Sequence, residues 1–266
     1  MNLHLENKKV LITGATRGLG LEIAKAFLSE GSVVTIMARS IPPLTDMFPE
    51  PEGYRNNLYC IPADATIKQD VENCVKAATD KMKGLDILIN NIGGISNYAS
   101  FFDLDEADWL DAYKRNIMSM VNFVKYSHCY LKMSKTPRII NVSSLVGLQP
   151  GTFNPHYAAC KAASINLTKF LSNIFAEDKI LVNSIAAAQI DTDSWKKNIC
   201  RVAEELGISF QDAEVKETEL ACKSIPLKRI GLSADLVPMV LLLASELSSW
   251  TTGSCIVIDG GKFRAI

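Results

Sequence analysis

The feature that most restricts how this chain can fold lies near its start. A short apolar run, Val10–Thr13, leads directly into Thr13-Gly14-Ala15-Thr16-Arg17-Gly18-Leu19-Gly20, and residues 19–30 (LGLEIAKAFLSE) then carry apolar positions at helical spacing. A strand that turns through glycines straight into a helix is the opening of a βα unit. Gly31 supplies the stop of that helix. Val33–Ala38 is a second strand, almost wholly apolar, as a strand covered on both faces should be. Further strands are predicted at Leu58–Ala63, Asp86–Asn90, Arg138–Val142, Ile180–Ile185 and Ser254–Ile258. Helical segments lie between them at 67–83, 105–133, 155–178, 194–206 and 234–247. This alternation predicts an α/β fold, a doubly wound parallel sheet of about seven strands flanked by helices. With 266 residues, one domain over 1–266 is long enough for a single core. The stretch 41–56 (IPPLTDMFPEPEGYRN) holds four prolines and is expected to be a long surface loop.

Charge narrows the partners. The formal net charge is −1, with acidic and basic residues spread along the chain, so neither nucleic acid nor an anionic membrane surface is expected as a partner. Seven cysteines, an odd number with no CxxC pair, argue against a disulfide framework and a metal site, and for reduced thiols in the cytoplasm. The opening residues MNLHLENKKVLITG do not resemble a signal peptide, and apolar runs such as 236–244 are too short to span a bilayer. His4, His128 and His156 have no partners at metal-ligand spacing and are read as structural or solvated, with His156 placed beside Tyr157.

The glycine turn has its own chemistry. Glycines let the backbone approach a pyrophosphate closely, and the helix that follows offers unpaired N–H groups and a positive dipole end. An acid about 20 residues after the glycines would accept bonds from the ribose hydroxyls of NAD. Ala38 stands there instead, followed by Arg39. Arg39 and Arg17 are suited to a 2′-phosphate, so NADP(H) is expected over NAD(H), the plain alternative being two solvated arginines.

Tyr157-Ala158-Ala159-Cys160-Lys161 places a phenol and an ammonium at i and i+4 on one helix face. A free tyrosine has a pKa of about 10, and a nearby fixed positive charge is expected to lower it towards useful acid–base catalysis. Ser144 closes the fifth strand near the carboxyl edge of the sheet, where such folds bind ligands. Asn116 sits in the middle of the long 105–133 segment, although Asn is a mediocre helix former.

Taken together, these motifs resemble the classical short-chain dehydrogenase/reductase family, from Val10 to Gly261. TGATRGLG matches its TGxxxGxG, Asn90-Asn91-Ile92-Gly93 resembles its NNAG, and Asp259-Gly260-Gly261 matches its DGG. Asn116, Ser144, Tyr157 and Lys161 match its catalytic tetrad in order and approximate spacing. The resemblance implies a single-domain Rossmann fold and hydride transfer between a nicotinamide and a carbonyl or alcohol. It implies that Tyr157 protonates the oxygen, Ser144 polarises it, Lys161 holds the nicotinamide ribose and lowers the tyrosine pKa, and Asn116 anchors a proton-relaying water. The cofactor contacts it implies are Gly14, Thr16, Arg17, Gly18, Leu19, Gly20, Arg39, Asp64 and Ala65 at the adenine end. Asn91, Gly93, Ile190 and Thr192 complete them. One departure stands out: Ala186-Ala187-Ala188-Gln189 replaces the family's Pro-Gly turn, and Ala188 cannot take positive φ as cheaply as glycine.

The resemblance also places a substrate lid at 193–225, where Trp195, Ile199, Val202, Leu206 and Ile208 form an apolar stripe for the pocket or for packing. Tyr98, Phe101, Gln149 and Phe153 are further pocket candidates. IPLKRIG at 225–231 and the ending DGGKFRAI resemble the family's 3-oxoacyl-thioester reductases. A small-molecule carbonyl or alcohol is the implied partner, with a homo-oligomer, dimer or tetramer, as the implied assembly. Two alternatives remain open: an NAD-dependent alcohol or hydroxysteroid dehydrogenase, and a non-catalytic dinucleotide-binding redox sensor.

Overall fold

In the computed structural model, which describes residues 2–48, 53 and 56–265, all seven expected strands form and pair in parallel. They are β1 (Lys9–Thr13), β2 (Val33–Ala38), β3 (Leu58–Pro62), β4 (Ile87–Asn90), β5 (Arg138–Ser144), β6 (Leu181–Ala187) and β7 (Cys255–Ile258). Their order across the sheet is β3-β2-β1-β4-β5-β6-β7. β1 therefore pairs on one side with β2 (Leu11 opposite Thr35) and on the other with β4 (Leu11 opposite Leu88). The order of strands reverses between β1 and β4, and the crevice above such a reversal is where open α/β sheets bind ligands.

Alternation along β1 divides the core. Val10 and Ile12 pack with Ile23 and Phe27 of α1 (Gly18–Ser29) and, further on, with Val240 of α9 (Ser233–Ala244). Leu11 points to the opposite face, into a cluster with Val75 of α3 (Lys68–Met82), Phe123 of α5 (Ser119–Leu131) and Leu171 of α6 (Pro155–Ile174). These side chains are fully or almost fully buried. Both faces are covered, which is why β1, β2 and β4 read as continuous apolar runs.

Two segments differ from their sequence reading. The 105–133 stretch is not one regular helix. It divides into α4 (Glu106–Tyr113), a π-helical turn at Lys114–Met118, and α5. Asp105 opens α4 with a reciprocal capping box, its side chain accepting from the Asp108 amide at 2.9 Å. In the proline-rich stretch one helical turn forms, α2 (Leu44–Met47), with Met47 and Phe48 buried against the core. Residues 49–52, 54 and 55 of that expected loop lie outside the described residues.

The 193–225 segment is a pair of helices, α7 (Asp193–Leu206) and α8 (Phe210–Ser224), joined through Gly207 at φ 63°. Ile199 and Val202 bury themselves against Ala213 with Trp195 and Phe210 alongside, whereas Leu206 and Ile208 stay exposed. The apolar stripe thus closes mainly on its neighbouring helix. Among the described residues no helix is long and apolar enough to cross a membrane.

Candidate active site

At the end of β1 the chain turns through Gly14 (φ 65°) and Gly18 (φ 53°) into α1. Arg17 is the residue at the helix N-cap, its side chain bonds none of the first-turn amides, and that turn holds no acid. An uncapped N-terminus of this kind presents donors and positive dipole to an anion. The turn is held from below by Asn91, whose Nδ2 donates to the Thr13 and Gly14 carbonyls at 3.0 and 2.9 Å. A Cβ on Gly20 would stand 2.5 Å from both Asn91 Nδ2 and the Gly14 oxygen, so only glycine lets turn and helix approach this closely. Thr16 and Leu19 are half-buried on the same turn. Gly18 faces Thr192, whose Cβ would be 3.8 Å from a side chain there.

The two arginines part company. Arg17 Nε pairs with Asp193 Oδ2 at 3.5 Å, linking the glycine turn to the first residue of α7. Arg39, exposed beyond β2, acts at a distance on Asp64. The Asp64 carboxylate accepts from the Thr66 amide and hydroxyl, both at 2.8 Å, and the amide bond above all holds its pKa below the usual range. Ala65 is buried beside it.

Across the crevice Asn116, Ser144, Tyr157 and Lys161 converge. Asn116 occupies the π-helical turn, where its Nδ2 donates to Ala112 O (2.8 Å) and Gly94 O (2.7 Å) and its Oδ1 accepts from the Gly94 amide (3.0 Å). A π-turn frees backbone groups and often marks a functional position, and here it turns Asn116 onto the loop after β4. Gly93 lies so near that a Cβ would sit 2.8 Å from Lys161 Nζ and 3.0 Å from Asn116 Oδ1. Lys161, only 4% exposed, donates to Val142 O at 3.0 Å and stands 5.6 Å from the Tyr157 ring centre. The Ser144 side chain faces the Tyr157 hydroxyl and opposes the upward pull of burial on its pKa. Ser144 Oγ also donates to Ala187 O at 3.4 Å.

Burial decides the titration of this pair. It pushes Tyr157 up to about 12, a rise only partly opposed by the Ser144 hydroxyl, and it draws Lys161 down to about 8. The lowered tyrosine pKa anticipated from the YxxxK spacing is thus not what the protein itself produces. Loss of water outweighs an ammonium that lies over the ring.

Residues 8–201 match the family model of the short chain dehydrogenases. The chain belongs to the short-chain dehydrogenase family. It is 32% identical over 261 residues to the 3-oxoacyl-[acyl-carrier-protein] reductase of Chlamydia pneumoniae, covering 98% of this chain and 99% of that one. The corresponding reductase of Thermotoga maritima is 30% identical over 259 residues, 97% and 99% of the two chains. In structure it is similar to the L-sorbose reductase of Gluconobacter frateurii, solved with NADPH and L-sorbose, at a TM-score of 0.91, 25% identity and full coverage of both chains. It is accordingly an oxidoreductase acting between alcohols and carbonyl compounds, in a family that binds nicotinamide dinucleotides.

In this short-chain dehydrogenase the site rests on buried polar side chains to which the sequence reading gave no role. Asn90 Nδ2 donates to Asn141 Oδ1 at 2.8 Å, and Asn141 Nδ2 to Thr168 Oγ1 at 2.9 Å, tying β4, β5 and α6 together. Ser143 and Ser164 lie 2.9 Å apart and both hydroxyls are within hydrogen-bond distance of the Lys161 carbonyl, at 3.1 and 2.8 Å, so two hydroxyl protons are shared among the three oxygens. For the strand residues a signal was present: Asn90, Asn141 and Ser143 are polar side chains in the carboxyl-terminal halves of β4 and β5. A cavity of about 10 Å³ lies between Thr13, Asn90, Asn116, Lys161 and Ser164, and Asn90 Oδ1 has no protein partner. That is room for one water with polar neighbours to hold it.

The unusual turn after β6 takes negative φ throughout, as its alanines require. It is held by Ala188 N to Ile258 O (3.4 Å) and by Gly231 N to Gln189 O (2.9 Å), with Ile190 bridged to Gly231. Thr192 Oγ1 donates to Ile190 O at 3.4 Å. His156 is 1% exposed and edges against Trp109, with ring centres 6.0 Å apart, a packing position. His128 pairs with Asp178 at 2.7 Å on the far side of the domain.

Proposed function

We propose that this short-chain dehydrogenase is an NADP(H)-dependent reductase of ketones, running reversibly to the secondary alcohol, with 3-oxoacyl thioesters as its substrate class. The observation that carries the reading is the Ser144–Tyr157 pair set beside a buried Lys161 and opposite an uncapped, glycine-lined helix N-terminus. The residues fit a dinucleotide. Gly14, Thr16, Arg17, Gly18, Leu19 and Gly20 would cradle its pyrophosphate, Arg39 its 2′-phosphate, and Asp64 and Ala65 its adenine. Asn91, Gly93, Ile190 and Thr192 would line the nicotinamide end, with Tyr157 and Lys161 on the ribose. When bound, the nicotinamide supplies or accepts a hydride.

The protein's own groups handle the oxygen and its proton. With a pKa near 12, Tyr157 is protonated at neutral pH and holds the proton that a carbonyl oxygen would receive. Ser144 holds that oxygen from a second side. Lys161, buried and near neutrality in its titration, can return a proton through the water-sized cavity it shares with Asn116. Names of the relatives support the thioester class, and the NADPH of the sorbose reductase supports the cofactor. A cytoplasmic location accords with seven free cysteines, and a homodimer or homotetramer with apolar side chains as exposed as Phe102 and Trp250.

The test is oxidation of NADPH and NADH by the purified protein against a 3-oxoacyl thioester, steroid ketones, ketoses and diketones. Turnover with NADPH on the thioester is expected, and Arg39→Ala should weaken NADPH by about 10-fold or more while sparing NADH, since a charged hydrogen-bond pair is lost. One observation favours an NAD(H) enzyme instead: Arg17 is engaged by Asp193, which leaves Arg39 as the single guanidinium for a 2′-phosphate. A large preference for NADH in binding would decide for that reading. Tight cofactor binding with no turnover on any carbonyl would decide for a redox sensor.

A further inference from the structure

We propose that Lys262 is a positioning residue: through its hydrogen bond to Gln189 the C-terminal segment sets the loop that forms the floor of the substrate site. Lys262 Nζ donates to Gln189 Oε1 at 2.7 Å, and both side chains are half-buried. Two residues on, the Arg264 amide donates to Gln149 Oε1 at 3.1 Å. Gln189 belongs to the turn after β6, and Gln149 to the loop after β5. These are the two segments that meet at Ser144, whose hydroxyl reaches Ala187 O. The tail therefore clasps both sides of the serine that faces Tyr157.

The tail is itself built to hold this course. Asp259 accepts from the amides of Gly261 (2.8 Å) and Phe263 (2.5 Å), folding the segment back. Gly260 and Gly261 take φ 65° and 85°, and a Cβ on Gly261 would press within 3.1 Å of Pro226. These contacts give Asp259-Gly260-Gly261 a local purpose in this chain.

The need for a clasp follows from the turn's composition. Ala187-Ala188 has neither the fixed φ of proline nor a glycine for a tight reversal. A cavity of about 210 Å³, lined in part by Ala188, Gln189, Ile190, Leu227 and Ile258, adjoins the turn and leaves it unsupported by packing on that side. Among the described residues the Gln189 side chain has one hydrogen bond, and Lys262 makes it. Among the described residues Lys262 has no carboxylate within ion-pair distance, and burial, partly opposed by the charge of Asp259, lowers its pKa.

Hydrogen–deuterium exchange tests the clasp without reference to turnover, so a wholly inactive wild type would sink the proposed function and leave this test standing. Lys262→Met, and separately a chain ended at Gly261, should speed amide exchange at 188–191 by about five-fold, the factor one such bond is worth. The truncation should also speed 148–150, while β1 to β5 stay unchanged. On any carbonyl the wild type reduces, Lys262→Met should raise KM about five-fold with kcat within two-fold and NADPH affinity unaltered, and Lys262→Arg should restore KM. In Gln189→Leu the Lys262→Met change should have no further effect. Unchanged exchange at 188–191 in a folded Lys262→Met protein, or additive effects of the two substitutions, overturns the proposal.

Discussion

Replacing Lys161 by methionine should make this protein more stable and inactive. The side chain is 4% exposed, and burial draws its pKa from 10.5 in the unfolded chain to about 8. A native pKa below the unfolded one means that the folded state binds the proton less tightly, so the ammonium costs stability wherever it is charged. At pH 7 that cost is about 3 kcal/mol. As pH climbs from 8 to 10.5 the native lysine sheds its proton before the unfolded one does, and the cost fades, to about 1 kcal/mol at pH 9.5. Methionine fills the same volume without a charge but leaves the Val142 carbonyl without its 3.0 Å donor, a loss of about 1 kcal/mol. Lys161→Met should therefore gain about 2 kcal/mol over wild type at pH 7 and almost nothing at pH 9.5. Urea unfolding at both pH values measures it, with the slopes compared to confirm that the same surface is exposed. Destabilisation at pH 7, or a gain that does not shrink by about 2 kcal/mol on going to pH 9.5, would refute the reasoning. Carbonyl reduction should fall below detection throughout, because function holds the charge where the fold would not.

Three further outcomes follow from the same geometry. Tyr157→Phe removes the proton donor and should lower turnover by about 10² to 10⁴-fold while cofactor affinity, read by NADPH fluorescence, stays nearly constant; a mutant with most of its activity would dismiss the tyrosine. Gly20→Ala forces a Cβ to within 2.5 Å of Asn91 Nδ2 and the Gly14 carbonyl, so dinucleotide affinity should drop by about 10-fold or more, as expected for a lost close approach; wild-type affinity in isothermal titration would contradict the cradle. Asn141→Leu breaks the Asn90 and Thr168 bonds in a buried place and should cost about 3 kcal/mol, lowering Tm by roughly 6–12 °C. A shift under 2 °C would mean that the chain of amides is not holding the sheet.

The fold was legible because its signal is repetitive. β1, β2 and β4 are largely apolar on both faces, and α1, α3 and α6 start and stop within a few residues of their expected bounds, α1 stopping just before Gly31 with its φ of 77°. α8 was missed because FQDAEVKETELACKS buries only Ala213 and Ala221 and has almost no apolar face to read. The π-turn could not be read from periodicity either, though the presence of Asn116 within a long helical stretch was its trace. The site was legible as residue identities at spacings: Asn116, Ser144, Tyr157 and Lys161 do meet in one crevice. Their electrostatics were not, because a pKa depends on how much water the fold removes, and spacing says nothing of that. Likewise Arg17 shows no sign in sequence of its pairing with Asp193, 176 positions away.

The hidden part of the site has a common physical logic. Asn90, Asn141, Ser143, Ser164 and Thr168 are each at most 5% exposed, in places where leucine or valine would pack without need of partners. They are tolerated because each bonds another or a carbonyl of α6, so that the network is nearly satisfied. Its effect is directional. Ser143 and Ser164 grip the Lys161 carbonyl, and Gly147 brings the turn after Ser144 so close to α6 that a Cβ would lie 2.6 Å from the Lys161 carbonyl carbon. An apolar interface between β5 and α6 would allow the helix to slide along its axis. A bonded one fixes its register, and register is what sets Tyr157 against Ser144 and Lys161 beneath the glycine loop. The chain thus uses polar groups away from the reacting atoms to fix a distance at them, and this is why Asn141→Leu should lower kcat as well as Tm.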